Sequence, residues 1–323
     1  MVRDKASVLY ARKRHLGSLI RALWQGSRLN PDFVYINSFL DPKFSILPML
    51  LSKFRIFGNA VMVVAPRGEF GTAALAKKAL KKKVFLIASR LTRLHSGVIW
   101  HASSEVEAGE IRTYQPRAAV VVRLNESILP LTAMRCPSSG TDNVHLIFVS
   151  RISEIKGVTL LLEALGQVEV GVTLKIYGTA QNSAYLRRCE ELASRLPSNV
   201  DVVFCGGVEN SKVRGLFAEA DAFFLPTEHE NFGHAIAESL SAGCPTFVED
   251  VTPWTDVIMD GGGRIVANHT VDAWSAELKD YCSLPRSVRS RMKSEAADAY
   301  ERWRAEQEGP SVFDIIAKSA LGV

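Results

Sequence analysis

The stretch Pro226–Phe247, PTEHENFGHAIAESLSAGCPTF, holds the signals from which the fold can be read. An apolar strand, DAFFLPT, runs into Pro226, and the polar loop TEHEN follows it. Phe232-Gly233 then opens HAIAESLSAG, which reads as a helix stopped at Gly243 with Pro245 beyond. CPTFVED is strand-like again. Strand, loop, helix and strand with near-continuous apolar strands describe a parallel sheet covered on both faces. Two of the carboxylates in this unit flank Phe-Gly-His, Glu230 before the helix and Glu238 inside it. Counted along a helix at about 100° per residue, their spacing leaves them less than a right angle apart. Carboxylates there can accept hydroxyl pairs of a sugar or ribose, and Gly233 lets backbone N–H groups meet an anion. Taken singly, each acid is also explained by the helix dipole or by solvent.

The same alternation extends in both directions. DFVYINS, AVMVVAP, SGVIWHAS and AAVVVRL are strand-like in the first half, and VHLIFVS, VTLKIYG and VDVVFCG in the second. Amphipathic segments separate them, and ESILPLTAMRCPSSGTDN reads as a linker. The expected architecture is therefore α/β, two Rossmann-like doubly wound domains, with ligands at the carboxyl ends of the strands. The expected boundaries are 1–135, 136–300 and a C-terminal helix, 301–323, returning to the first domain.

Composition agrees with this. The chain has 323 residues, 47% hydrophobic and 23% charged, which suits two globular domains. Its five cysteines are scattered with no metal-ligand spacing, so reduced thiols and a cytoplasmic location are expected. No signal peptide and no membrane-length apolar run is apparent. The net charge of +5 conceals an asymmetry: residues 1–140 hold 22 Lys and Arg against 8 Asp and Glu, while residues 141–323 hold 17 against 26. The basic half could face phosphate or anionic lipid. Nucleic acid is not expected, because no basic ribbon with interleaved aromatics appears.

Further chemistry lies at other strand ends. Arg151 follows VHLIFVS at once, and Lys156-Gly157 precedes the next helix, an arrangement suited to clamping a diphosphate. Gly178 ends VTLKIYG, where a glycine lets a ligand approach the backbone. Solvated cations and ordinary turn chemistry account for the same residues. No Asp-x-Asp pair stands at a strand end, so no metal is expected.

Arg151, Lys156-Gly157 and EHENFGHAIAESLSAGCPTF together resemble the donor half of retaining GT-B glycosyltransferases of the family-4 type, glycosyl transferases group 1. Glu230 and Glu238 match that family's Glu-x7-Glu pattern, and DVTPWTDVI and GGGRIV also fit it. The resemblance implies sugar transfer with retention from a nucleotide-sugar, UDP- or GDP-linked, which serves as co-substrate with no further cofactor. It assigns the diphosphate to Arg151 and Lys156, the ribose to Glu238 and the donor sugar to Glu230. Gly178, Asn231, Phe232 and Gly233 would line the donor site, and Glu230, Arg151 and Lys156 would serve catalysis.

VYINSFLDPKFSILP, APRGEFGTAALAKKALKKKVF and WHASSEVEAGEIR resemble the acceptor half of the bacterial polysaccharide and lipopolysaccharide branch. Arg67 and Glu69 of APRGEF would then meet a glycan or lipid-linked acceptor; a loop ordered by both is the plainer reading. The lysines of KKALKKKVF read as a solvated face that, if exposed together, would favour an anionic membrane by about 1 kcal/mol per basic residue. The strand and Gly-rich loop that open such enzymes have no counterpart before PDFVYINS, so the first domain is expected to be incomplete. That leaves two alternatives: a shortened non-catalytic chain that binds nucleotide only, or a GT-B nucleotide-sugar epimerase.

Overall fold

The computed structural model describes residues 16–71, 79–123, 129–138, 143–230 and 232–320. Two compact units emerge, Met1–Glu126 with Gly309–Val323 and Ser127–Glu308.

The first unit contains α1 (Leu16–Ser27), β1 (Phe33–Asn37), α2 (Leu47–Lys53), β2 (Val61–Ala65), α3 (Ala79–Leu91), β3 (Ile99–Ala102), α4 (Glu105–Tyr114) and β4 (Ala119–Val122). Its four strands are parallel and lie in the order β1-β2-β3-β4. With no reversal among the described strands, right-handed crossovers put the connecting helices on one face. Strand alternation sorts the core accordingly. Ile36, Met62, Val64 and Trp100 join the helix-side core, while Phe33, Tyr35, Val63, Ile99 and Val121 face the other way. That second face is closed by the C-terminal helix Val312–Ala320 through Val312, Phe313 and Ile316. Phe313 packs 5.6 Å from Phe33 and 5.4 Å from Tyr35.

The second unit contains β5 (Val144–Val149), α5 (Val158–Leu165), β6 (Val172–Tyr177), α6 (Ser183–Ala193), β7 (Val200–Gly206), α7 (Asn210–Glu219), β8 (Ala222–Phe224), α8 (His234–Ser241), β9 (Thr246–Glu249), β10 (Gly263–Val266), α9 (Val271–Ser283) and α10 (Arg286–Glu306). All six strands are parallel, in the order β10-β9-β8-β5-β6-β7. This sheet is doubly wound. Strand order reverses between β5 and β8, and ligands of open α/β sheets sit outside the carboxyl ends of strands at such a point.

The segment expected as a linker is a strap on the second unit, and this is why the unit begins at 127 instead of 136. Met134 N donates to Ser241 O (2.9 Å), Ala133 N to Glu301 (2.9 Å) and Tyr300 Oη to Pro130 O (2.6 Å). Ser138 Oγ donates to the buried Asp221 at 2.5 Å. Residues 301–308 stay with this unit too, since α10 is continuous to Glu306 and Trp303 packs 4.5 Å from Trp254. The chain returns to the first unit only at Gly309. No helix among the described residues is long and apolar enough to cross a membrane.

Candidate functional site

Two loops converge at the β5–β8 reversal, and one glycine brings them into contact. Gly157 has φ +65°, and a Cβ there would lie 2.0 Å from Pro226 O, so only a bare Cα lets the loop after β5 approach the loop after β8. Glu228 N donates to Ile155 O at 3.0 Å across the same contact. Gly178, at the end of β6, is constrained similarly, since its Cβ would lie 1.8 Å from Ser150 O. Its smallness is thus required by the neighbouring strand end, beside Arg151.

Lys156 lies inside this junction with 6% of its surface exposed. Its Nζ donates to Thr227 Oγ1 (3.2 Å), His229 O (3.3 Å) and Glu230 Oε1 (2.5 Å). An ammonium has three donors, so all are engaged. The structure thus joins two residues the sequence reading kept apart: Lys156, expected on a diphosphate, grips Glu230, expected on a sugar. Arg151 differs in being exposed and making no hydrogen bond or ion pair with a described residue.

Glu238 is half-buried in the second turn of α8, and its carboxylate has no partner among the described residues. Burial alone raises its carboxyl above the usual value. The helical angle expected between Glu230 and Glu238 does not apply, because α8 begins at His234 and Glu230 belongs to the loop. Gly233 takes φ +77° at the entrance of α8. The turn is fixed by the buried Trp254, whose indole N–H donates to Phe232 O and whose ring meets Phe232 edge-on at 5.6 Å. Phe232 is itself 3% exposed, so it supports the turn and offers little side chain to a ligand. Asn231 lies outside the described residues.

A further polar group near this end escaped the sequence reading. Glu249, buried at the end of β9, accepts from Trp274 Nε1 (2.9 Å) and contacts His269 Nδ1 (2.6 Å), while His269 Nε2 lies 3.9 Å from Glu228. The available signal was an acid ending an apolar strand, FVED. Among the described residues no group of three or more His, Cys, Asp or Glu side chains could hold a metal ion.

In the first unit the APRGEF residues bind their own scaffold. The Glu69 carboxylate accepts from Ser38 Oγ (2.8 Å), Phe39 N (2.5 Å) and Leu40 N (2.9 Å). These bonds account for it as the order-giving residue of the loop after β1. Arg67 donates to Asn37 Oδ1 (2.9 and 3.1 Å) and Tyr35 Oη (3.0 Å), leaving Nη1 buried with no hydrogen bond. Glu107 reaches back from α4 to Ser103 N and Gly68 N, each at 2.7 Å, a capping arrangement extended to a second loop. Glu105 is the exposed partner of Arg112 at 3.7 Å.

Two parallel α/β units, one with paired charges at its switch point, define a GT-B architecture. The sequence model of glycosyl transferases group 1 matches residues 137–299, half of the chain, and the protein belongs to that family. Among curated relatives, the D-inositol 3-phosphate glycosyltransferase of Xylanimonas cellulosilytica is 25% identical over 180 residues, 55% of this chain and 43% of that protein. A GDP-mannose-dependent phosphatidylinositol dimannoside mannosyltransferase of Mycobacterium tuberculosis is 28% identical over 164 residues, 50% of this chain and 42% of that one. The matches thus span less than half the length of these relatives. HepE of Anabaena, solved with UDP and glucose, superposes with TM-score 0.68 at 15% identity, covering 95% of this chain and 82% of that one. Sucrose-phosphate synthase of Thermosynechococcus elongatus gives 0.69 at 16%, covering 92% and 77%. At such identity the likeness establishes the fold.

Proposed function

We propose that the second unit binds a nucleotide-sugar at the β5–β8 reversal and that the protein transfers the sugar to a hydroxyl of a glycan or lipid-linked acceptor. The observation that carries this reading is the Lys156–Glu230 pair, held at the switch point beside the unpaired Arg151 and the half-buried, partnerless Glu238. Arg151 takes the diphosphate as a two-pronged donor. Lys156 holds Glu230 toward the donor sugar and adds positive charge next to the phosphates. Glu238 accepts from the ribose hydroxyls, and the backbone at Gly233 faces the phosphate or sugar from the α8 entrance.

In the transfer, the bond between the anomeric carbon and the phosphate oxygen breaks. The acceptor oxygen bonds that carbon on the same face, and the acceptor's proton leaves with the diphosphate. Negative charge builds on the leaving phosphate, where Arg151, Lys156 and the helix entrance lower the barrier without requiring a metal. Retention is the part of this proposal that rests on the resemblance of Arg151, Lys156 and the Glu230–Glu238 pattern to retaining enzymes. Arg67, with its unbonded Nη1, is the remaining acceptor-side candidate; Glu69 is taken up in ordering the loop after β1.

A membrane is the proposed setting for a lipid-linked acceptor. Leu80, Val84, Ile87 and Leu91 of α3 are 77%, 60%, 51% and 80% exposed and share a stripe about 60° wide. Phe85, Leu86 and Ser89 pack on the opposite side of the helix, and Lys81 and Lys83 flank the stripe. A basic helix with an outward apolar face suits an anionic bilayer surface.

The test is transfer or hydrolysis by the purified protein with UDP- and GDP-linked hexoses, beside Arg151→Ala and Glu230→Ala. Losing one such stabilising group should lower kcat by about 10²-fold. Unchanged turnover in both variants rejects the assignment.

A further inference from the structure

The amino ends of β3 and β4, opposite the strand ends that carry Arg67, form one wall of an open cavity of about 650 Å³. Arg90, Arg93, Arg117, His95, Gln115 and Trp100 line it, with no acidic residue among its lining. A bland account is available for such cations, because α3 and α4 both end here and a helix C-terminus favours positive charge. Arg90 fits that account: it donates to Tyr114 O, the last residue of α4, and stacks over the Tyr114 ring at 4.8 Å. Magnitudes show that the account is insufficient. Each helix end is worth about −0.5 charge, so the two supply about one negative unit against Arg90, Arg93, Arg117 and Lys53, leaving an excess of roughly three. Lys53 belongs in this sum because its Nζ donates to Ser96 O, on the same cavity wall, at 2.9 Å. Arg93 and Arg117 are exposed, and their side chains make no hydrogen bond or ion pair with a described residue.

An independent observation comes from His95. Its ring is 4% exposed, wedged 5.5 Å from Tyr114 and 5.9 Å from Phe39 and Trp100, yet its Nδ1 is buried without a hydrogen-bond partner. Buried polar atoms are nearly always partnered, so an orphan nitrogen in the wall of a cationic cavity marks a place for a bound group. Burial, then the positive charges of Lys53 and Arg90, hold this imidazole below its ordinary pKa.

We propose that this cavity binds a phosphoryl group, as a second anion site separate from the donor site. Arg93 and Arg117 supply free guanidinium forks, Arg90 closes the wall from its anchorage on Tyr114, and Nδ1–H of His95 is the buried donor. Guanidinium pairs suit tetrahedral oxyanions because each presents two parallel N–H groups. The phosphoryl group could belong to a soluble phosphate ester or to a lipid headgroup, and Leu91 places the apolar stripe of α3 one residue from Arg90.

The test uses the whole chain with Arg151→Ala in the background, so that the proposed donor site does not contribute. Inorganic pyrophosphate is titrated by calorimetry, and co-sedimentation is measured with phosphatidylglycerol and phosphatidylcholine vesicles. The Arg93→Gln/Arg117→Gln pair changes exposed side chains only, and folding is checked by circular dichroism. Binding of pyrophosphate identifies a soluble ester site; binding of phosphatidylglycerol vesicles alone identifies a headgroup site. In either case the double variant should weaken binding at least tenfold, and the bound probe should shift the His95 imidazole nitrogen signals. Without the Arg151 change, the double variant should bind UDP within twofold of wild type, which separates failure here from failure of the donor reading. If neither probe binds, if the double variant binds as tightly, or if the His95 signals stay unmoved, the site does not exist.

Discussion

Replacing Lys156 with methionine keeps most of the side-chain volume and deletes the ammonium that grips Glu230. The cost can be apportioned from the neighbours. Thr227 Oγ1 retains His229 O at 2.9 Å and Ile155 O at 3.3 Å, and His229 O thereby retains a donor. Only the Glu230 carboxylate, 16% exposed in its side chain, is left without its partner. Breaking a buried pair from one side costs about 3–5 kcal/mol, and the partial exposure of Glu230 places Lys156→Met near the lower end, about 3 kcal/mol. Glu230→Gln leaves Lys156 its two oxygen acceptors and should cost about 1–2 kcal/mol. Removing both charges leaves no stranded ion, so Lys156→Met/Glu230→Gln should cost no more than about 2 kcal/mol, a coupling of about 2–3 kcal/mol. Two units need not unfold together, so a single transition would mix them. Hydrogen exchange of peptides from β5 and α5 across a urea series reads the second unit alone. Costs in the double variant equal to the sum of the single variants would show that the residues do not act as a pair. A cost below about 1 kcal/mol for Lys156→Met would place the pair with solvent-screened surface bridges.

Glu238→Gln should show opposite effects on stability and binding. Because burial raises the Glu238 pKa, its ionised form is disfavoured in the folded state; that penalty is full above the raised pKa, falls as pH drops through it and is gone below the ordinary 4.5. The variant should therefore melt higher than wild type at pH 7.5 and converge with it in acid, while binding UDP more weakly; a lower melting temperature at pH 7.5 would refute the unpartnered carboxylate. Glu69→Ala removes an acceptor from three donors and should cost about 3 kcal/mol, with exchange rising first in residues 38–46; unchanged exchange there would refute its role in the loop. Burial pushes the thiols of Cys189 and Cys244 up to about 11 and that of Cys282 up to about 12, whereas Cys205 is exposed. Ellman's reagent at pH 8 should modify Cys205 fastest and Cys136 more slowly, leaving the other three silent until denaturant is added; rapid reaction of a third thiol in the native protein would contradict the packing. Gly157→Ala should separate the two site loops, since its methyl group collides with Pro226 O, and should lower donor binding more than tenfold; unchanged UDP affinity would show that the loop contact is dispensable.

Local signals in the sequence carried the elements and their order. Continuous apolar runs separated by amphipathic segments gave two parallel sheets, and Gly243 with Pro245 marked the end of α8. Periodicity has no information on partners, however, and the departures arise there. Lys156 and Glu230 lie 74 residues apart and meet because β5 and β8 are neighbours in the sheet, which strand order alone determines. Residues 130–138 have no period, so they read as a linker, yet their backbone and side chains are bonded along α8 and α10. The partners of Arg67 and Glu69 were not legible because the atoms that occupy them come from β1 and the loop after it, some 30 residues earlier. The orphan Nδ1 of His95 has no sequence signature, since an imidazole in an apolar run is ordinarily a satisfied core residue.

Glu230 and Glu238 occupy opposite electrostatic situations, and this bears on what each can do. Glu230 faces an ammonium at 2.5 Å in a loop fixed by Gly157, so its position is set before any ligand arrives. A group held in that way can orient a substrate with little reorganisation. Glu238 is held by its helix but has no partner, and burial already acts against its charge. A ligand that brings hydroxyl donors to Glu238 relieves that penalty, so part of the binding free energy arises from the protein's own unsatisfied carboxylate. The coupling has a measurable consequence. If donor binding favours the ionised form of Glu238, UDP should bind with a release of protons at pH values between the ordinary and the raised pKa, and calorimetry in buffers of different ionisation enthalpy would detect it. Glu238→Gln should abolish that release, and Glu230→Gln should leave it in place.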